Sequence, residues 1–206
     1  MTDALGNTFT DTVLVEVGTL TVQNVFLSPP AADTTSVHAG AVLNAWAGTP
    51  DPGQQVADGF TDPIYPRNVI ITLVDTNNSV TGGTARLTGT DARGQSRSEV
   101  IAISDTGGGG SSTNTGAAPF ATITRLDLYS FAGLDGDEQV TLGVGTQFGL
   151  TGVLEAAADV LYVHEHQGGV VISGGYAVDV TGGQQGITFT SAPDGTRDYV
   201  VVFRTR

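Results

Sequence analysis

Two groups of side chains in this sequence have the types and spacing that bind metal ions. The first is His164 and His166, which flank Glu165 in a run of β-forming residues. Because side chains alternate between the faces of a strand, both imidazoles lie on one face, where they could share Zn²⁺ or Ni²⁺. His38 is the one further histidine, and nothing places it near the pair. The alternative is a polar strand end that leads into the turn at Gln167, with no metal unless a symmetric oligomer joins several pairs at an axis.

The second group is the acidic turn Asp135-Gly136-Asp137-Glu138. Carboxylate oxygens at this tight spacing suit Ca²⁺ or Mg²⁺, but the turn lacks the full pattern of an EF-hand calcium loop. A solvated acidic turn is therefore the favoured interpretation. We predict no bound cofactor and keep His164, His166, Asp135 and Asp137 as the candidate metal ligands.

No catalytic motif is recognisable. The sequence lacks cysteine and contains neither G-x-S-x-G nor H-E-x-x-H. The tetraglycine in Asp105–Gly116 is not followed by GK[ST], so it is no P-loop, and its composition predicts a flexible loop. We predict that the protein is not an enzyme and assign no catalytic residue.

The charge of the chain restricts its partners. The net charge is −13, and all eight cationic side chains are arginine. Phosphate contacts need clustered basic residues, so direct binding to nucleic acid is not expected. No run of 18 apolar residues predicts a membrane span, and no secretory signal is visible. A GC-rich genome and a high-salt environment both explain an acidic chain without lysine.

The strands that must position these residues are clearest between Pro66 and Ser104. Apolar runs at Val69–Val74, Thr84–Thr90 and Glu99–Ile103 are separated by turn-forming Asn, Asp and Gly residues. We interpret them as a three-stranded antiparallel meander. We interpret Arg67 and Asn68, at its start, as structural residues, with Asp62 as a candidate partner of Arg67.

Further β-forming runs are spread over the whole chain. We predict strands at Thr12–Val17, Leu20–Leu27, Val37–Trp46, Phe120–Tyr129, Val140–Val144, Val170–Val180, Gly186–Thr190 and Asp198–Thr205, and a helical turn at Glu155–Ala158 that runs into a strand ending at Val163. Tyr199, Val201 and Phe203 are expected on one face of the last strand. About eleven short strands with many glycines predict an all-β antiparallel sandwich or jelly-roll-like domain.

The domain organisation follows from the Ser28-Pro29-Pro30 breaker. Residues 1–30 form either a β-rich N-terminal arm or hairpin on a neighbouring subunit, or the first strands of the same sheet. Residues 31–206 form the β-sandwich domain.

Several turns occur in an order that resembles a known group of proteins. The motifs are Val37-His38-Ala39, Asp62–Val69, Thr88–Gly94, Val144–Leu150 and Thr190–Tyr199. Together, over roughly residues 31 to 206, they resemble virion structural proteins of tailed phages and related archaeal viruses. The sequence departs from that pattern at Ile64-Tyr65 and at Gln147-Phe148, neither of which is a catalytic position.

The resemblance implies a non-enzymatic protein that decorates the capsid or forms a turret or spike on it. Its partners would be copies of itself and the major capsid protein or other virion proteins, and its location the virion, on the capsid exterior rather than the tail. Two alternatives remain open, namely a tail tube, baseplate or adaptor component and a carbohydrate-binding module or adhesin.

Overall fold

A computed structural model describes residues 20–104, 110–168, 170–172, 175–181 and 185–205. These residues form 14 strands and two short 3₁₀ turns, so the all-β prediction is confirmed. The strands are β1 (Leu20–Phe26), β2 (His38–Val42), β3 (Gln54–Val56), β4 (Arg67–Val74), β5 (Gly82–Thr90), β6 (Ser96–Ile103), β7 (Ser111–Phe120), β8 (Thr122–Ala132), β9 (Gln139–Gly149), β10 (Val160–Gln167), β11 (Val170–Ile172), β12 (Tyr176–Asp179), β13 (Gly186–Phe189) and β14 (Arg197–Thr205). The 3₁₀ turns are Ala45–Gly48 and Ala157–Asp159.

The strands form three antiparallel sheets. The β1 sheet has the strand order β1-β14-β10-β11, and the β5 sheet has the order β3-β8-β5-β6. The β9 sheet has the order β12-β13-β9-β4-β7, and β2 pairs with one end of β9. In the part of the chain that is described, no helix is long and apolar enough to cross a membrane.

Two apolar cores lie between these sheets. The first is formed by the β9 sheet and the β5 sheet, with residues such as Ile71 and Leu87 fully buried. The second is formed by the β1 sheet and the other end of the β9 sheet, and includes Tyr199 and Phe203. Strand β9 is long enough to contribute Leu142 to the first core and Phe148 to the second.

The predicted meander is only half correct. Strands β5 and β6 form the expected hairpin, but β4 pairs with β7 and β9 in another sheet. The burial of the strands explains the difference. Both faces of β4 are largely buried, which is typical of a central strand, whereas β5 alternates between buried residues such as Ala85 and Leu87 and half-buried ones. The segment after Asp75 therefore crosses between sheets, with the Asp75 carboxylate accepting hydrogen bonds from the backbone of Asn78 and Val80.

Five other local predictions need correction. Of the expected loop Asp105–Gly116, residues 105–109 lie outside the described residues, and β7 begins at Ser111, where the Thr113 hydroxyl bonds to that of Thr72. The run Phe120–Tyr129 is divided at Ala121.

The run Val37–Trp46 forms β2 and then a 3₁₀ turn, in which the Trp46 amide donates to the side-chain oxygen of Asn44. The run Val170–Val180 provides two strands, β11 and β12, that belong to different sheets. The helical turn expected at Glu155–Ala158 is a 3₁₀ turn at Ala157–Asp159.

The N-terminal segment is described from Leu20 onward. Strand β1 pairs with β14 of the same chain over seven consecutive residues, from Leu20 opposite Thr205 to Phe26 opposite Tyr199. This part of the segment follows the second interpretation, a strand of the same sheet. The predicted strand Thr12–Val17 lies outside the described residues.

Candidate functional site

The β1 sheet presents two faces of different composition, which alternate along each strand. The inner face carries Tyr199, Val201 and Phe203 on β14, all fully buried in the second core, as predicted. The register places Val25 on β1 and Tyr162 and His164 on β10 beside the intervening residues of β14. We call this opposite side the outer face of the β1 sheet.

The outer face carries exposed apolar side chains beside polar ones. Its exposed apolar side chains are Val25, 44% exposed, Tyr162, 45%, and Val171, 54%. Val200 and Val202 lie between them on β14. Exposed apolar patches on a sheet commonly mark contact surfaces.

The histidine pair lies on this face. His164 and His166 are on the same side of β10, as predicted, with ring centroids 6.2 Å apart, and the Tyr162 ring is 4.9 Å from that of His164. His38 belongs to β2 in the β9 sheet and contacts the Phe60 ring. Among the described residues these histidines form no three-ligand group of metal-binding geometry, so a metal at this pair stays a prediction.

Glu165 lies between the two histidines and was not among the residues singled out from the sequence. It is the least expected side chain of the second core. It is completely buried, and neither carboxylate oxygen has a hydrogen-bond partner among the described residues. The register places it beside Tyr199 on β14. Burying a carboxylate without a partner costs several kcal/mol in an apolar environment. The alternation of the strand was the available signal, because outward histidines at 164 and 166 require an inward residue at 165.

The acidic turn forms the second predicted group. Ligand oxygens of Asp135, Asp137 and Glu138 lie within 4.8 Å of one another, the only such group among the described residues. Glu138 is fully buried and accepts hydrogen bonds from the backbone of Asp135 and Gly136 and from Ser79. Burial acts to raise the pKa of Glu138, but these backbone hydrogen bonds outweigh it and hold the pKa below its usual value.

Asp137, by contrast, is exposed and has no such support. Partial desolvation and the neighbouring Asp135 raise the pKa of its carboxyl. The arrangement thus has one carboxylate that stabilises the turn and two that face solvent. A divalent cation at Asp135 and Asp137 stays a prediction.

Arg67 lies where the two cores meet. The prediction that it pairs with Asp62 is wrong. Arg67 is 1% exposed, and its guanidinium donates to the carbonyl oxygens of Pro30 and Gly145 and lies 5.0 Å from the centre of the Phe148 ring. Burial lowers the pKa of Arg67 to about 10. Asp62 instead accepts a hydrogen bond from the backbone of Ile123.

Beside Arg67 is a mostly apolar cavity of about 280 Å³, lined by residues that include Asp33, Ile64 and Tyr65. Asn68 bridges two neighbouring strands, donating to the carbonyl of Gly116 on β7 and accepting from the backbone of Gln147 on β9. These contacts hold β9 in place where the sheets change partners. Arg67 and Asn68 are therefore structural residues.

The turns that carry the resemblance are also structural. The Asp91 carboxylate accepts hydrogen bonds from the backbone of Arg93 and Gln95 and pairs with the Arg93 guanidinium at 2.7 Å. Gly94 completes this turn with φ of +74°, a conformation that favours glycine. Near the C-terminus the Tyr199 hydroxyl donates to the carbonyl of Ser191.

No protein family model, no curated protein and no solved structure matches this chain. The order of the turns and the surfaces of the three sheets are thus the observations that bear on function.

Proposed function

We propose that the chain is a non-enzymatic structural protein of a virus particle. It decorates the capsid, or builds a turret or spike on it, by homo-oligomeric packing of its β domain, and it contacts the major capsid protein. The proposal is supported most by the apolar outer face of the β1 sheet, with the order of turns that resembles virion proteins as second support. A chain of net charge −13 that keeps one sheet face apolar has a surface suited to assembly.

In this proposal the acidic surface and the outer face of the β1 sheet have different roles. Carboxylates elsewhere on the surface keep the assembled particle hydrated and repel other particles. The outer face, where Val25, Tyr162 and Val171 are exposed, loses its contact with water when a neighbour covers it. Burial of apolar side chains contributes about 25 cal/mol per Å² removed from water, before the cost of association is subtracted.

Cryo-electron microscopy of the particle tests this proposal directly. We expect density for the 14-stranded domain on the outside of the capsid shell. Density on the tail would favour the tube, baseplate or adaptor alternative instead. A purified particle without this chain would contradict the proposal.

A carbohydrate-binding module is the second candidate, and one observation favours it. Trp46, the only tryptophan, is 68% exposed on the 3₁₀ turn after β2. Gln54 on β3 bonds to the backbone of Asn44 at the start of this turn, and the same strand lines an open groove of about 660 Å³ with His38 and Asp58. An exposed aromatic ring suits stacking on a sugar, and amide and carboxylate groups line the groove. A glycan array compares the native chain with Trp46→Ala, and only binding that the substitution abolishes would support this candidate.

A further inference from the structure

Among the residues that the structure describes, strand β1 is a sheet edge without the usual protection. Natural proteins blunt their edge strands by making them short, by placing charges or proline in them, by bulges, or by covering them. Strand β1 has seven residues, Leu-Thr-Val-Gln-Asn-Val-Phe, with no charge and no proline. Its register with β14 runs without a bulge over all seven. It therefore has the properties of a strand that accepts another strand.

The other edges in the described part of the chain are protected, and β2, which has five uncharged residues, is protected by the irregularity in its register with β9 between His38 and Ala41. Strands β3 and β11 have three residues each, and β12 has four, including Asp179. Strand β6 carries Arg97 and Glu99. Strand β7 contains Pro119 and lies against β6, whose Glu99 carboxylate accepts hydrogen bonds from the backbone of Ala117.

The charge distribution around β1 permits a second copy of the chain to be the partner at this edge. Two molecules of net charge −13 repel each other over most of their surfaces. Strand β1 is uncharged, and the adjoining strand β14 places Asp198 and Arg204, of opposite charge, on the same outer face. The backbone amide of Ser28 donates a hydrogen bond of 2.7 Å to the Asp198 carboxylate. Two copies can approach here without bringing unbalanced carboxylates together.

We propose that β1 pairs antiparallel with β1 of a second copy about a twofold axis at Gln23. This deepens the proposed function and rests on it for the biological role of the pair. The two β1 sheets then form one continuous sheet, and their outer faces, with the apolar residues Val25 and Tyr162, become one continuous surface.

The alternation of β1 determines this register. Val22 and Phe26 face the core while Thr21, Gln23 and Val25 are exposed, and residues directly opposite each other in a sheet must point to the same face. The axis must therefore pass through a residue, and only an axis at Gln23 pairs all seven. It places Gln23 opposite its own copy and Thr21 opposite Val25 of the second copy, with no like charges opposed.

A single cysteine tests the register, because the chain contains none. Gln23→Cys places two thiols opposite each other, and Cβ atoms of directly opposed residues lie close to the separation that a disulfide requires. Under mild oxidation we expect a covalent dimer of twice the chain mass of 21.0 kDa on a non-reducing gel. The matched control is Val100→Cys, since Val100 is 60% exposed on β6, at the edge of the β5 sheet. We expect it to cross-link about tenfold more slowly, because only the Gln23 site gains the effective concentration of a preformed pair.

Charge exchange across the axis tests the same register without cysteine. Thr21→Lys combined with Val25→Lys opposes like charges at two places and is expected to weaken association about tenfold in analytical ultracentrifugation. Thr21→Glu combined with Val25→Lys opposes unlike charges at the same places and is expected to restore it. Equal association of both double variants would overturn the proposed pairing.

The two proposals fail separately. A native chain that stays monomeric, with Gln23→Cys uncross-linked, would overturn the pairing of β1 with a second copy and leave attachment to the capsid through another surface untouched. Density on the particle with β1 unpaired would likewise overturn the pairing and keep the virion function. Dimers that behave as described, from a chain absent from the particle, would overturn the function and keep the pairing.

Discussion

The β5 sheet and the β1 sheet each bury one face and expose the other, but they distribute charge in opposite ways. In the β5 sheet the buried face is apolar, and the carboxylate of Asp127 lies on the outer face between Arg86 and Arg125. In the β1 sheet the carboxylate of Glu165 faces the core without a partner, while Tyr162 and other apolar residues face out. The first distribution suits a sheet exposed to water, and the second suits a sheet with a neighbour on its outer face.

The pairing on the β5 sheet is extensive. Arg86 donates to Asp127 at 2.8 Å and to Asp51 at 2.6 Å, and its guanidinium lies 5.8 Å from the centre of the Tyr129 ring. Arg125 donates to the other oxygen of Asp127 at 2.6 Å. Asp127 itself is 1% exposed, so this network is complete within one molecule. The outer face of the β1 sheet has no comparable network among the described residues.

The largest effect on stability is expected from removing the Asp127 carboxylate of the β5 sheet. Asp127→Asn keeps the shape of the side chain but leaves Arg86 and Arg125 without their shared anion. Charge-assisted hydrogen bonds contribute about 1.5–3 kcal/mol each, reduced here because both arginines are partly solvated. We expect the free energy of unfolding to fall by about 2–4 kcal/mol in urea titration. Asp51→Asn is the control, because Asp51 is half-exposed, and a similar loss there would contradict the special role of Asp127.

Removing the buried carboxylate of the β1 sheet should instead increase the free energy of unfolding. Glu165→Met replaces an unpartnered buried carboxylate by an apolar side chain of similar volume, and should stabilise the fold by about 1–3 kcal/mol. Urea titration of the two variants side by side measures both signs. Destabilisation by Glu165→Met would mean that Glu165 has a partner in solution, and the two sheets would then not differ in the way described.

Local patterns predicted much of the β1 sheet and little of how the sheets are joined. Alternation along β14 identified Tyr199, Val201 and Phe203 as one buried face, and the same rule applied to β10 would have identified Glu165. Such rules depend on neighbours in the sequence. The pairing of β4 with β7 and β9 depends on contacts that are distant in the sequence, and no turn near Asp75 encodes it.

The candidate sites divide in the same way. Alternation correctly placed His164 and His166 on one face, and the short spacing of the acidic turn correctly brought Asp135 close to Asp137. The environment of Arg67 could not be predicted, because its partners Pro30 and Gly145 come from distant segments. The expected pair with Asp62 relied on closeness in sequence alone.

A smaller effect is expected at Glu99, where the first core closes between β6 and β7. Burial raises the pKa of this carboxyl, despite hydrogen bonds from the backbone of Ala117 and Ala118. Because the pKa is higher in the folded state than in the unfolded state, the contribution of Glu99 to stability is fully present below pH 4.5 and is lost as the pH rises through the folded pKa. Glu99→Gln keeps an acceptor for the amides and removes this dependence.

Thermal melts of Glu99→Gln and the native chain between pH 4 and 7 measure the difference. We expect the melting temperature of the variant, measured relative to that of the native chain, to increase as the pH rises. Arg97 lies nearby and its own pKa is lowered, chiefly by burial, so a melt of Arg97→Gln controls for changes in the local field. A constant difference over the whole range would contradict the assignment to Glu99.

The smallest effect is expected in the acidic turn, and its sign separates mutual repulsion from cation binding. The pKa of Asp137 is raised by partial desolvation and by Asp135, so the charged form is disfavoured in the folded state and Asp137→Asn should raise the melting temperature slightly at neutral pH. Asp179→Asn on β12 is the control for a general loss of negative charge. We expect the native chain to melt at the same temperature in EDTA and in calcium. A rise in calcium that Asp137→Asn abolishes would instead establish Asp135 and Asp137 as cation ligands, because a bound cation converts their repulsion into attraction.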